Sequence, residues 1–118
     1  MKKGDIILAD FGKSRDSFEF GKKRPVVIFQ TNRLNFAAKD GLYDYFLVIP
    51  LSSKDDILTK EFRLMIEARE GLDRDSFMVC NSVCFLHKRY LSKKIASLTK
   101  DEIKEAGKIL KKIFDIED

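Results

Sequence analysis

The chain has no tryptophan, one histidine and two cysteines among its 118 residues. Cys80, Cys84 and His87 make three soft ligands at most, and a structural zinc site ordinarily takes four, so no metal is expected. Four residues apart on one strand, the two thiols would face the same side and could not bridge without bending the backbone. Buried free thiols in a reducing cytosol are therefore the expectation. No apolar run is long enough to span a bilayer, and Asp5 and Asp10 interrupt the only signal-like start. The chain accordingly reads as soluble and cytoplasmic, with no membrane partner. It also lacks repeats, linkers and low-complexity tracts, which points to one domain over residues 1–118.

What the chain does have is 44% hydrophobic residues, enough for one compact core, and 36% charged residues with a formal net charge of +4. So mild a balance fits an ordinary solvated face as well as a polyanion partner. Location favours the polyanion, because Lys13, Arg15, Lys22, Lys23 and Arg24 gather around one loop. That loop joins Gly4-Asp5-Ile6-Ile7-Leu8-Ala9-Asp10-Phe11 to a second apolar run opening on Arg24-Pro25. Proline confines the residue before it to extended backbone, so Arg24 is aimed from a strand edge. A fixed guanidinium among lysines suits a phosphodiester.

β-Branched and aromatic runs with local alternation predict strands at about 4–11, 24–30, 43–51, 60–67, 76–85 and 93–97. Phe62, Leu64 and Ile66 against Arg63 and Glu67 are one example. Gly, Asn, Asp, Ser and Lys mark loops at 12–22, 31–41, 52–58 and 68–75. A helix is expected over about 100–115. Thr99 and Glu102 form a capping box at its start, and Ile103, Ala106, Leu110, Ile113 and Phe114 share one face. Gly107 weakens that helix by up to ~1 kcal/mol relative to alanine. The fold class is thus mostly β with a C-terminal helix (α+β): a small, strongly bent antiparallel sheet or partial barrel.

Three stretches, in order, resemble the MazF/PemK family of toxin endoribonucleases. They are the Gly4-Asp5-Ile6 opening strand with its loop and Arg24-Pro25, then Val48-Ile49-Pro50-Leu51-Ser52-Ser53, then Leu98-Thr99-Lys100-Asp101-Glu102. The resemblance spans nearly the whole chain and implies an SH3-like barrel of the CcdB/MazF type with a terminal helix. It also implies a metal-independent, sequence-specific endoribonuclease acting on single-stranded RNA, the toxin of a type II toxin–antitoxin pair, without cofactor. The expected partners are single-stranded RNA, a cognate antitoxin and a second copy in a homodimer.

Carried over by position, the family's catalytic pair falls on Arg24 and Ser52. RNA supplies its own nucleophile, the 2′-hydroxyl, so cleavage needs a base, an acid and cations for the phosphorane. Arginine titrates above ~12, which makes Arg24 an electrostatic group rather than a proton carrier. Ser52 keeps the hydroxyl of the commoner threonine. The competing readings are a surface ion pair with Glu19 for Arg24 and a turn hydroxyl for Ser52. Glu19 matches a family glutamate and would accept from a base edge or orient Arg24, although a lone loop carboxylate is more often solvated. Lys13, Arg15, Lys22 and Lys23 would contact the RNA backbone, Ser53 and Lys54 phosphate or sugar, and Phe18 or Phe20 a base. Phe20 reads equally well as core.

In one place the chain departs from the family. Where many relatives carry an acid, an amide and a base, it reads Cys80-Asn81-Ser82-Val83-Cys84. Asn81 can still hydrogen-bond a base but cannot take a proton, and His87 is the substitute to consider, against a structural role. Two alternatives to the nuclease reading follow. One is a non-catalytic protein-binding toxin like CcdB, which relies on a C-terminal Trp-Gly-Ile; this chain ends Asp115-Ile116-Glu117-Asp118. The other is a degenerate member that binds RNA without cutting it.

Overall fold

The computed structural model describes residues 1–12, 22–54 and 57–117. Lys13, Arg15, Phe18, Glu19 and Phe20 lie outside the described residues, as does the side chain of Lys22. Seven strands and two helices are described: β1 (Asp5–Gly12), β2 (Lys22–Ile28), α1 (Asn32–Lys39), β3 (Tyr45–Ser52), β4 (Arg63–Ile66), β5 (Ser76–Val79), β6 (Cys84–His87), β7 (Leu91–Ser97) and α2 (Lys100–Phe114). They form one antiparallel sheet ordered β4-β5-β3-β2-β1-β7, with β6 paired to β3.

The pivot is β3. On one side Val48, Ile49 and Pro50 face Ile28, Val27 and Val26 of β2. On the other side it pairs first with β6, from Tyr45 to Val48, and then with β5, at Leu51 and Ser52. The partner changes at Ile49–Pro50, where Pro50 has no N–H to give. One strand shared between two ladders bends the sheet.

Side chains alternate across a strand, so continuous apolar runs must be buried on both faces. Ile6, Val27, Ile49 and Leu51 join one core with Met78, Cys80 and Ala106. Their neighbours Ile7, Val26, Ile28 and Val48 join a second core with Phe46, Ala38 and Leu91. The first is sealed by α2 through Ile103, Ile109, Leu110 and Ile113. The expected capping box is present: Glu102 N–H donates to Thr99 Oγ1 at 3.1 Å and Thr99 N–H to Glu102 Oε1 at 2.8 Å. Phe114, expected on the buried stripe, is 57% exposed at the end of the helix, and Ile109 packs instead.

Three expectations are corrected. The predicted loop at 31–41 contains α1, capped by Thr31. Buried Gln30 and Asn35 fix it: Gln30 Nε2 donates to Asn35 Oδ1, Asn35 Nδ2 to Asn32 Oδ1, and Leu47 N–H to Gln30 Oε1, each at 2.9 Å. The predicted strand at 60–67 is shorter, because a 3-10 turn over Ile57–Phe62 precedes β4. The predicted strand at 76–85 breaks at a 3-10 turn over Cys80–Ser82. That break separates the thiols: Cys80 is buried, Cys84 exposed. Burial pushes the Cys80 thiol up to about 11. No helix among the described residues is long and apolar enough to cross a membrane.

Candidate active site

Arg24 lies on β2 opposite Ala9 of β1, and Pro25 holds it extended. The β2–β3 register pairs Val26 with Pro50, and continuing it by two residues brings Arg24 level with Ser52. Both side chains point to the face of Val26, Val48 and Phe46, because each lies an even number of residues from them. Both line an open cleft of about 370 Å³ at the strand ends, together with Pro25, Leu51, Ser53 and Lys54. The rest of its lining is Leu72, Asp73, Arg74 and Ser76, from the β4–β5 loop and the start of β5.

The turn after β3 is internally tied. Lys54 N–H donates to Ser52 Oγ at 3.1 Å, and Arg63 Nη1 donates to the Lys54 carbonyl at 2.6 Å. Ser52 therefore caps local backbone, as the turn reading anticipates, while its own O–H is left to donate. On the other side of Arg24 lies a smaller apolar hollow of about 110 Å³, lined by Val26, Val48, Pro50, Ser82, Cys84 and Leu86. A guanidinium between a polar cleft and an apolar hollow can hold a phosphate on one side while a nucleobase rests on the other.

The structure thus brings Arg24, Ser52, Ser53 and Lys54 together. Lys23 is exposed and opposes Asp10, on the face away from Arg24. Asn81 is exposed on the 3-10 turn and lines neither the cleft nor the hollow. His87 is also outside the cleft: its Nδ1 accepts from Arg89 N–H at 3.1 Å, and its ring packs edge-on to Tyr45 at 5.2 Å. Among the described residues, no group of three or more His, Cys, Asp or Glu side chains is placed to hold a metal ion.

Sequence reasoning missed Asp73 and Arg74. They sit in an ordinary polar loop, and only tertiary pairing carries that loop to the cleft. The fixing contacts are numerous. Arg69 N–H donates to the Leu72 carbonyl at 2.9 Å and Leu72 N–H returns to the Arg69 carbonyl at 2.8 Å, closing a tight turn. Gly71 takes the turn's positive φ of 91° against the Ile95 carbonyl, where any Cβ would overlap. The Arg69 guanidinium grips both carboxylate oxygens of Glu102, at 2.7 and 2.6 Å, and the Ser97 carbonyl at 3.0 Å. Asp75 Oδ1 accepts from Ala68 N–H at 2.7 Å.

The architecture is that of the MazF toxins. The chain superposes on Mycobacterium tuberculosis toxin MazF-mt6 with a TM-score of 0.75 at 18% identity, covering 97% of this chain and 99% of that one. MazF in a MazE–MazF complex from Deinococcus radiodurans gives 0.74 at 17% identity, over 99% and 97% of the two chains. An endoribonuclease in complex with its cognate antitoxin, from a mycobacterial species, gives 0.72 at 13% identity over 100% and 98%. No curated protein matches the sequence. Residues 2–114 match the family described as PemK-like, MazF-like toxin of type II toxin–antitoxin systems, and the chain belongs to that family.

Proposed function

We infer that this chain is a metal-independent endoribonuclease that cuts single-stranded RNA at a preferred sequence by attack of the substrate's own 2′-hydroxyl. The observation that carries this reading is the meeting of Arg24 and Ser52 in one cleft beside Lys54. Family membership supports it. Arg24 binds the scissile phosphate and holds the charge that builds on its oxygens in the phosphorane. Ser52 donates its O–H to a non-bridging oxygen, while Ser53 and Lys54 seat the flanking phosphate or sugar. Lys13, Arg15, Lys22 and Lys23 track the backbone, Glu19 meets a base edge, and Asn81 contacts the strand farther along.

In this reading the chain is one domain working in the cytoplasm as a homodimer. A cognate antitoxin silences it by covering the cleft, a role suggested by the antitoxin complexes among its structural neighbours.

The deciding experiment is cleavage of a single-stranded RNA library in EDTA, followed by the best substrate carrying one 2′-deoxy substitution at the cut site. Cleavage leaving 2′,3′-cyclic phosphate ends, blocked by the single substitution with binding nearly unchanged, is the expected result. Equal cleavage of the deoxy strand would replace the 2′-hydroxyl by an activated water. Binding without cleavage would make the chain a degenerate RNA-binding member.

A further inference from the structure

Among the described residues, Arg24, Ser52, Ser53 and Lys54 supply no base. Arginine and lysine side chains are hydrogen-bond donors without an acceptor, and a serine hydroxyl is a poor base. Among the described residues that line the cleft, Asp73 alone carries a carboxyl group, a side-chain type that serves as a general base. We propose that Asp73 is the general base that takes the proton from the 2′-hydroxyl, a role that rests on the endoribonuclease reading above.

Three observations converge on it. Asp73 lines the same cleft as Arg24 and Ser52, so the ribose next to a phosphate held by Arg24 lies in the space that the carboxylate borders. Asp73 is also held in place. Leu72 before it is buried in the first core, and the Arg74 carbonyl after it accepts from Ser76 Oγ at 3.2 Å. The turn at Gly71 behind it is wedged against β7. A carboxylate whose backbone is fixed on both sides meets the positional demand on a catalytic group. Finally, the groups around it are cations: Arg24 from β2, Lys54 after β3 and Arg74 on its own loop. Their positive charges draw the anionic substrate into the cleft that holds the carboxylate.

The step balances without a redox partner. The Asp73 carboxylate takes the 2′-O–H proton, and the freed oxygen pair forms the new O–P bond. The P–O5′ bond breaks, and the departing 5′-oxygen takes a proton from water. The products are a 2′,3′-cyclic phosphate and a 5′-hydroxyl, and Asp73 returns its proton to solvent.

The test measures single-turnover rates for wild type, Asp73→Asn and Asp73→Ser on a normal RNA and on one with a bridging 5′-sulfur, which leaves without protonation. Both variants should lose about 10²-fold or more on both substrates. They should bind the 2′-deoxy analogue as well as wild type or better, because a negative charge is gone. The fall in wild-type rate at low pH should vanish in Asp73→Asn. Rates within threefold of wild type would overturn the assignment while leaving the nuclease reading intact. A defect on the normal RNA that disappears with the sulfur substrate would make Asp73 the acid instead. A wild-type protein that cuts no RNA would remove both readings together.

Discussion

The two faces of the sheet are built for different work. One is closed by α2, whose Ile103, Ile109, Leu110 and Ile113 pack on Ile6, Ile49 and Met78. The other carries a second core of Ile7, Val26, Val48 and Phe46, which borders the apolar hollow beside Arg24, while the open cleft at the ends of β2 and β3 takes Leu51 and Leu72 from the first core. The residues differ accordingly. The region beneath α2 is held by apolar contact and the Arg69–Glu102 ion pair, whereas the strand ends display Arg24, Ser52, Lys54, Asp73 and Arg74 around the cleft. Stability and chemistry therefore divide along the same strands: Ile49 lies in the first core, and three residues on Ser52 lines the cleft.

The sharpest way to break that division is at Arg24. Arg24→Ala is expected to lower cleavage by about 10²–10³-fold, the usual loss when a group stabilising transition-state charge is removed. The melting temperature should stay near that of wild type. Arg24→Lys should lose most of the activity too, because an ammonium cannot grip a phosphate in two places. Single-turnover kinetics and thermal melts on the same samples check both halves.

The converse change is Met78→Ala, at a fully buried position beneath α2. It should cost about 2–5 kcal/mol in denaturant unfolding, from lost burial and the cavity left behind. Activity per folded molecule should be retained. A parallel loss of activity would mean the two faces are coupled through the sheet.

Ser52 lies between these extremes, since its hydroxyl caps the turn and faces the cleft at once. Ser52→Ala should slow cleavage by about tenfold or more while weakening RNA binding much less, and Ser52→Thr should be tolerated. Equal losses in the two variants, read from kcat and KM separately, would make the position steric.

The smallest effect belongs to Glu102. Hydrogen bonds from the Arg69 guanidinium, against the opposing effect of burial and with help from Thr99, hold its carboxyl below the usual glutamate value of 4.5. A depressed folded-state pKa gives stability that is fully present above the unfolded value and lost as pH falls through the folded one. Glu102→Gln should therefore cost about 1–2 kcal/mol at neutral pH and flatten the stability loss below pH 4.5, with only a small loss of cleavage because the Arg69–Ser97 bond and the Gly71 contact still hold the Asp73 loop. Unfolding curves across that pH range are the measurement.

How much of this was legible in the sequence follows from how local each feature is. The capping box of α2 lies within four residues, so Thr99 and Glu102 announce it. Arg24 stood out because Pro25 fixes its backbone, whereas Ser52 was reached only through the family resemblance; both line the cleft. α1 was missed because Asn32–Lys39 offers a weak apolar stripe, and the helix is secured by Gln30 and by the Leu47 N–H from a distant strand. The break at Cys80–Ser82 was hidden inside an apolar run from Phe77 to Phe85 that reads as a single strand. Asp73 and Arg74 were invisible for a stronger reason. Nothing nearby marks them, and their place depends on β5 pairing with β3 and on Gly71 meeting Ile95.

That last contact has a consequence for the order of assembly. β4 and β7 stand at opposite ends of the strand order, yet the turn at Gly71, just beyond β4, rests on the Ile95 carbonyl of β7, and Arg69 reaches Ser97 beside it. The turn thus acts as a clasp joining the two margins of the sheet. A clasp can fasten only when both margins are in place, after the slow, long-range pairings have been made. The wall that carries Asp73 is then the last part of the molecule to form. During refolding, recovery of cleavage should lag behind recovery of the β-sheet signal, so a newly made chain would pass through a folded but harmless interval in which an inhibitor could still reach it first.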